Sequence, residues 1–369
     1  MSEIALVTFH RACNYGAFLQ AYALLETLNE YPDVNAYIFD YRSNVVEGRY
    51  LPNFYLKKKG NPIKKISKYL LEYRDIISRN RIFDEARDKY FRYRTKNLTK
   101  SQIKKASSDY DAFISGSDQV WNREIINDDS TYFLDFVTPP ILKFSYAASI
   151  GKSELTKDEL SDITEMLSDY IRISVREDDV IPQLEQCLNN DIICSLDPVF
   201  LLDSNQWRDF SEYKERKPYI LFFMMGQSAN SLPAMEFAKK LAQEKNLDIV
   251  YLSDSERRYK FKDLNHFGVA SPSEFVGLIN NAQCVVTNSF HATAFSIILH
   301  KEFFVETQVL RNNRILNLLQ IVSLEDRGLI KGKKSDKVNA INWEKVDNNL
   351  APLIEKSHGY LDKIVSDLE

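Results

Sequence analysis

Three residue types are scarce in this chain, and each shortage removes a class of function. Glycine numbers 11 in 369 residues, and the first turn after a strand-like segment holds one of them, Gly16 in Asn14-Tyr15-Gly16-Ala17. A dinucleotide fingerprint needs three glycines at G-x-G-x-x-G spacing so that backbone can approach a pyrophosphate. No nicotinamide site is therefore expected, although Asp40, 24 residues past Gly16, ends a strand where a ribose-binding acid would lie. Cysteine numbers four (Cys13, Cys187, Cys194 and Cys284), with no C-x-x-C pair. That pattern argues against zinc and a disulfide framework and fits a reducing cytoplasm. Histidine numbers five. No apolar run approaches the ~20 residues of a membrane span. Met1-Ser2-Glu3 lacks a basic leader and Ile4 to Phe9 reads as a first strand, so no signal peptide is expected. Internal repeats and low-complexity segments are missing as well.

What remains is the composition of a soluble globular protein, 44% hydrophobic and 27% charged, long enough for two domains with separate cores. Charge is unevenly spread. Residues 57–105 carry 17 Lys/Arg against 5 Asp/Glu, a local +12, so the rest must carry -16 to reach the net -4. Within this region Tyr69, Leu70, Tyr73, Ile76 and Ile77 recur at helical spacing. A basic amphipathic helix suits peripheral contact with an anionic membrane surface. It equally suits a solvated insertion whose apolar stripe packs on the first domain. Nucleic-acid binding is not expected, given the acidic remainder and the lack of any recognised motif.

The order of elements predicts an α/β chain. Ile4 to Phe9, Tyr37 to Asp40, Ala112 to Ile114, Phe144 to Ala147, Ile173 to Val175 and Ile192 to Cys194 read as strands, with a helix from Ala17 to Leu28 and a basic helical insertion near 57–105. A charged, turn-prone stretch follows Trp207, and a second alternation begins at Tyr219. The expected domains are 1–208 and 209–342, two Rossmann-like parallel-sheet units facing a cleft, with a helical tail over 343–369.

The segment with the best address is Asn288-Ser289-Phe290-His291, between the strand Cys284 to Thr287 and an apolar helix. Ligands of open α/β sheets bind outside the carboxyl ends of the strands. Free N–H groups and the macrodipole favour an anion at such a helix start. Arg176, ending the strand Ile173 to Val175, could clamp a phosphate or carboxylate, or pair with Glu177 or Asp178. Arg311 and Arg314 follow the next strand and could line the same site or a solvated helix start. His10, Asn14 and Tyr15 end the first strand and open its turn. Asp118 and Gln119 offer directional hydrogen bonds, while Trp121 could stack on a sugar or pin the loop in the core. His266, His300 and His358 fall in segments that read as surface loop or helix end and are given no role.

These segments together resemble the polysaccharide pyruvyl transferase family. The resemblance rests on Thr8-Phe9-His10 with Asn14 to Ala21, on Ser115 to Asn122, on Ser145 to Gly151, on Ser174 to Glu177, on Asp197-Pro198-Val199 and on Asn288 to Thr293. It implies a GT-B-like pair of domains and transfer of an enolpyruvyl unit from phosphoenolpyruvate to a sugar, giving a pyruvate ketal and releasing phosphate. By position Arg176 matches the family's donor-binding arginine and His291 the histidine of its motif, cast here as general acid. Ser289, Phe290, Arg311 and Arg314 complete the expected donor site, and His10, Asn14, Tyr15, Asp118, Gln119 and Trp121 the expected acceptor site. No metal or cofactor is implied beyond phosphoenolpyruvate as co-substrate. The acceptor would be a sugar of a surface polysaccharide or of its lipid-linked precursor, met in the cytoplasm or at the inner membrane face. Where the family carries an arginine two residues before the motif histidine, this chain has Ser289, so donor phosphate binding falls to Arg314 or Arg311, or the donor differs. A GT-B glycosyltransferase using a nucleotide sugar, with Glu306 holding the ribose, is the competing enzyme; a non-catalytic glycan-binding relative is the third reading.

Overall fold

The structure is a computed structural model and describes residues 1–51, 53–57, 61–213, 217–225, 231–253, 265–307, 313–335 and 338–369. The chain divides into two compact units, one of residues 1–69, 85–201 and 353–369, the other of 70–84 and 202–352. Among the described residues no helix is long and apolar enough to cross a membrane.

The first unit is built on a parallel sheet of β1 (Ser2–Val7), β2 (Val34–Ile38), β3 (Ala112–Ser115) and β4 (Leu142–Ser145) in the order β2-β1-β3-β4. β5 (Ile173–Val175) and β6 (Ile192–Cys194) pair parallel with each other, and bridges from Phe144 to Arg172 and from Ala148 to Val175 continue the ladder from β4. The strands read as continuous apolar runs because helices and loops cover both faces. Phe39 stacks on Phe136 at 5.3 Å and meets Phe113 edge-on at 5.0 Å, at the centre of this core. The helix after β1, α1 (Tyr15–Asn29), is capped by Asn14, whose carbonyl accepts from the N–H groups of Gly16 and Ala17 at 2.9 and 3.2 Å.

The basic region becomes a 29-residue helix, α2 (Pro62–Tyr90), opened by Asn61 as cap and Pro62 in the first turn. The second unit holds β7 (Tyr219–Met224), β8 (Asp248–Ser253), β9 (Asn265–Gly268), β10 (Cys284–Thr287), β11 (Glu302–Glu306) and β12 (Gly328–Leu329). All six are parallel, in the order β12-β11-β10-β7-β8-β9. The helix α3 (Phe290–Ile298) follows β10, α4 (Asn313–Ile321) follows β11, and α5 (Trp343–Ser366) ends the chain.

Two parallel-sheet units match the expected α/β class, but the boundaries differ. The division falls at 201/202 rather than 208/209. Trp207, fully buried, packs edge-on against Phe295 at 4.7 Å and so joins the second core. Residues 70–84 of α2, expected as an insertion in the first domain, group with the second unit. The tail is not separate either. Residues 353–369 group with the first unit, where the Tyr360 hydroxyl donates to the Ser145 carbonyl at 2.8 Å and Arg172 pairs with Asp367. His266, expected in a loop, lies in β9.

One buried network ties the end of β1 to the segment after β2. Asp40 is fully buried and accepts from His10 Nε2 at 3.0 Å, from Arg11 Nε at 2.6 Å and from the Asn97 N–H at 2.7 Å. His10 Nδ1 faces the Thr8 carbonyl at 3.0 Å. Burial alone would raise the Asp40 carboxyl, but hydrogen bonds from His10 and Arg11 outweigh it and hold that carboxyl well below its usual range. A depressed folded-state value stabilises the fold above the ordinary carboxylate range and loses that contribution as pH falls. Asp40→Asn leaves the Arg11 guanidinium without its anion and should lower unfolding free energy at pH 7 by about 3 kcal/mol. The gap to wild type should narrow in denaturant titrations as pH falls below about 4, where the unfolded chain's carboxyl takes up a proton that the folded one resists.

Candidate active site

In the first unit the loops after β1, β3, β4, β5 and β6 gather at the carboxyl ends of the strands, around Arg176. Its Nη1 donates to Asp197 at 2.8 Å and to the Ser117 hydroxyl at 3.4 Å, and its Nη2 lies 3.9 Å from Asp118. The side chain is 4% exposed, yet among the described residues Nε and Nη2 make no hydrogen bond. Burial alone would lower the Arg176 pKa, but the negative charge of Asp197, Glu177 and Asp118 outweighs it. The ion pair expected with Glu177 or Asp178 is made with Asp197 instead. Glu177 accepts from the Ser149 hydroxyl, and its other oxygen is buried without a hydrogen bond.

This loop cluster is held in unusual backbone. Asp118 and Ala147 adopt left-handed conformations, with φ of 80° and 47°. Ser149 N–H reaches the Asp118 carbonyl at 2.9 Å, and Asp118 also takes the Gln119 N–H on its carboxylate at 2.8 Å. Non-glycine residues in this region collect at functional sites. Gly151, at φ +76°, lies so close that an added Cβ would meet Asn122 Nδ2 at 2.4 Å and Gln119 Oε1 at 2.6 Å. Gln119 spends that oxygen on Asn122 at 2.6 Å.

Trp121 differs from one expectation. It is fully buried, stacked on Phe133 at 5.6 Å and edge-on to Tyr170, with its indole N–H on the Tyr132 carbonyl. Its ring is spent on the core and is not open to a sugar. His10 differs too, because both nitrogens and 99% of its surface are committed to the Asp40 network. Asn14 is half-buried and uses its carbonyl as the α1 cap, and Tyr15 is buried in the first turn of that helix. Asp118, at 22%, stays partly open, as do Asn14 and Gln119.

In the second unit β10 hands over to α3 at Asn288. The Asn288 side chain pairs with Met225 as another strand would, accepting its N–H at 2.7 Å and donating to its carbonyl at 3.1 Å. Ser289 is extended, at φ -94° and ψ 129°, and caps α3 by accepting the Ala292 N–H at 3.4 Å. The position where the resemblance expected an arginine is thus spent on ending a strand and starting a helix. Phe290 and His291 sit in the first turn, half-buried, with perpendicular rings 5.3 Å apart. Arg314, from the first turn of α4, lies over the Phe290 ring at 5.8 Å. Arg311 falls outside the described residues.

Glu306 has no free carboxylate for a ribose. It is fully buried at the end of β11, and its oxygens accept from the Lys331 and Gly332 N–H groups at 3.2 and 2.9 Å. His300 pairs with Asp347 at 2.9 Å and stacks on Trp343, a surface contact at the start of α5.

Asp197, Ser117, Ser149 and Glu177 were not singled out as site residues from sequence. The signal was available for one of them: Asp197-Pro198 follows a strand, and its carboxylate caps the turn at Val199 N–H, 3.2 Å away. Asn288 was noted only as a neighbour of the histidine. Two substitutions test the scaffolding. Gly151→Ala should cost about 1–2 kcal/mol from its left-handed backbone alone, with a further loss as Asn122 and Gln119 move aside. Asn288→Ala strands both Met225 backbone groups and should cost about 2 kcal/mol in thermal unfolding.

The family model for polysaccharide pyruvyl transferase matches residues 14–307, most of the chain. No curated protein matches in sequence. Among solved structures, the UDP-GlcNAc 2-epimerase of Methanocaldococcus jannaschii, solved with UDP-GlcNAc and UDP, is 11% identical with a TM-score of 0.51, covering 99% of each chain. The S. aureus MnaA structure with UDP is 10% identical with a TM-score of 0.51, covering 97% of this chain and 90% of that one. At such identity the likeness concerns fold alone, an α/β chain of the GT-B kind. The motif segments, their place at the strand ends and the family match together make this chain a member of the polysaccharide pyruvyl transferase family and, with it, a transferase.

Proposed function

We propose that the protein moves an enolpyruvyl unit from phosphoenolpyruvate onto a sugar of a surface polysaccharide or its lipid-linked precursor, in the cytoplasm and without a metal. The observation that carries this reading is Arg176: a buried guanidinium with two nitrogens, Nε and Nη2, that no acceptor among the described residues takes. Desolvated donors are costly unless paired, and a planar fork suits the carboxylate or phosphate of the donor.

The chemistry divides into roles. Arg176 takes an anionic end of the donor, and Arg314 adds positive charge beside Phe290 and His291. His291, as general acid, protonates the methylene carbon of the enolpyruvyl group. A sugar hydroxyl attacks the adjacent carbon and loses its proton. A second hydroxyl then displaces phosphate, closing the ketal and releasing inorganic phosphate. Asp118 is the partly open carboxylate suited to a sugar hydroxyl. Nucleotide-sugar transfer is less well supported, since the one carboxylate suggested for a ribose, Glu306, is consumed by Lys331 and Gly332.

Thermal unfolding with phosphoenolpyruvate and, in parallel, with UDP tests this reading. Phosphoenolpyruvate at ~100 times its dissociation constant should add about 2.7 kcal/mol of stability, UDP should add none, and Arg176→Ala should abolish the shift. His291→Gln should keep the shift but lower phosphate release with a sugar acceptor by ~100-fold or more. A shift with UDP alone would replace the reading with glycosyl transfer.

A further inference from the structure

The helix α2 (Pro62–Tyr90) carries two apolar faces, and only one of them is packed. Ile76 and Phe83 are 7% and 0% exposed. On the other side Ile63, Ile66, Leu70, Tyr73 and Ile77 are 76, 53, 67, 42 and 44% exposed. Their spacing of three and four residues places all five within an arc of about 80° at 3.6 residues per turn. The stripe therefore separates two neighbours that the sequence pattern had grouped, with Ile76 turned to the core and Ile77 to solvent. Leu51 and Leu56, just before the helix, are also 40 and 38% exposed.

A face carrying four exposed aliphatic side chains, Ile63, Ile66, Leu70 and Ile77, marks a contact surface rather than chance exposure. Its occupant follows from its borders. Residues 57–81 hold nine Lys/Arg against two Asp/Glu. Exposed Arg74 lies along the edge of the stripe, and exposed Lys64 lies about 100° of arc beyond that edge. A second copy of this helix on the same stripe would bring like charges together, and such pairs destabilise. A layer of anionic headgroups over acyl chains satisfies both features, since basic side chains reach the phosphates while the apolar stripe enters the interface. From Ile63 to Ile77 the stripe runs about 21 Å at 1.5 Å per residue, lying in the plane of the surface.

We propose that α2 docks the protein on an anionic lipid surface through Ile63, Ile66, Leu70 and Ile77, with Lys64 and Arg74 on the headgroups. This docking is independent of the transfer reaction, and its test uses no donor or acceptor. The full chain is sedimented with phosphatidylcholine vesicles, with and without phosphatidylglycerol. Pelleting should require phosphatidylglycerol and weaken with added salt. Leu70→Glu/Ile77→Glu should abolish it. Lys64→Glu/Arg74→Glu should weaken it about 25-fold or more, at ~fivefold per basic residue near the surface. Because all four positions are exposed, unfolding midpoints should stay at the wild-type value, which separates lost docking from lost fold. Equal binding to both vesicle types, no pelleting, or pelleting that survives Leu70→Glu/Ile77→Glu overturns the proposal. A dimer in sedimentation equilibrium that Leu70→Glu/Ile77→Glu splits, without vesicle binding, gives the stripe to a second copy instead.

Discussion

A guanidinium removed from water needs acceptors on every side, and the first unit is arranged to supply them at Arg176. The loop after β6 brings Asp197, the loop after β3 brings Ser117 and Asp118, and the loop after β4 brings Ser149 to neighbouring Glu177. None of these contacts is local in sequence, so each loop must take one path. The left-handed backbone at Asp118 and Ala147 and the close approach of Gly151 to Asn122 are the conformations those paths require. An ion pair this deep contributes little net stability by itself, because desolvation offsets most of the attraction. Its effect is specificity: the loops hold one arrangement, in which two arginine nitrogens make no hydrogen bond among the described residues.

The second unit reaches similar order with neutral groups. Asn288 imitates a backbone strand for Met225, Ser289 closes the N-terminus of α3, and Glu306 gathers the turn at Lys331 and Gly332. A first turn held this way presents His291 with little freedom beyond its own side-chain torsions. His291 thus sits on a regular element, whereas the polar loops of the first unit depend on mutual bracing.

Much of the architecture was legible in the sequence, because parallel strands buried on both faces read as plain apolar runs and helix starts carry caps and prolines. The place of His291 in the fold was legible for the same reason: a strand, a polar turn and an apolar helix fix its address. The role of Trp121 was not, since a tryptophan beside Asp118 and Gln119 reads identically whether it faces a ligand or Phe133. His10 was misplaced because its partner Asp40 lies 30 residues away and only the fold joins them. The boundary near 201 was hidden because the turn-rich stretch after Trp207 is a better punctuation mark than the buried contact of Trp207 itself. The two faces of α2 could not be told apart by periodicity, which finds apolar residues but not what covers them.

The last helix has a consequence for the order of assembly. Tyr360 closes the carbonyl of Ser145 across 215 residues of chain, and Asp362 and Asp367 reach back to Tyr31 and Arg172. During synthesis at ~5–20 residues per second, α5 leaves the ribosome about 10 to 40 seconds after β4. Through that interval the first sheet exists without its final partner, while the whole second unit is made and can collapse. For those seconds the Ser145 carbonyl, Tyr31 and Arg172 wait on solvent for the partners that α5 later brings.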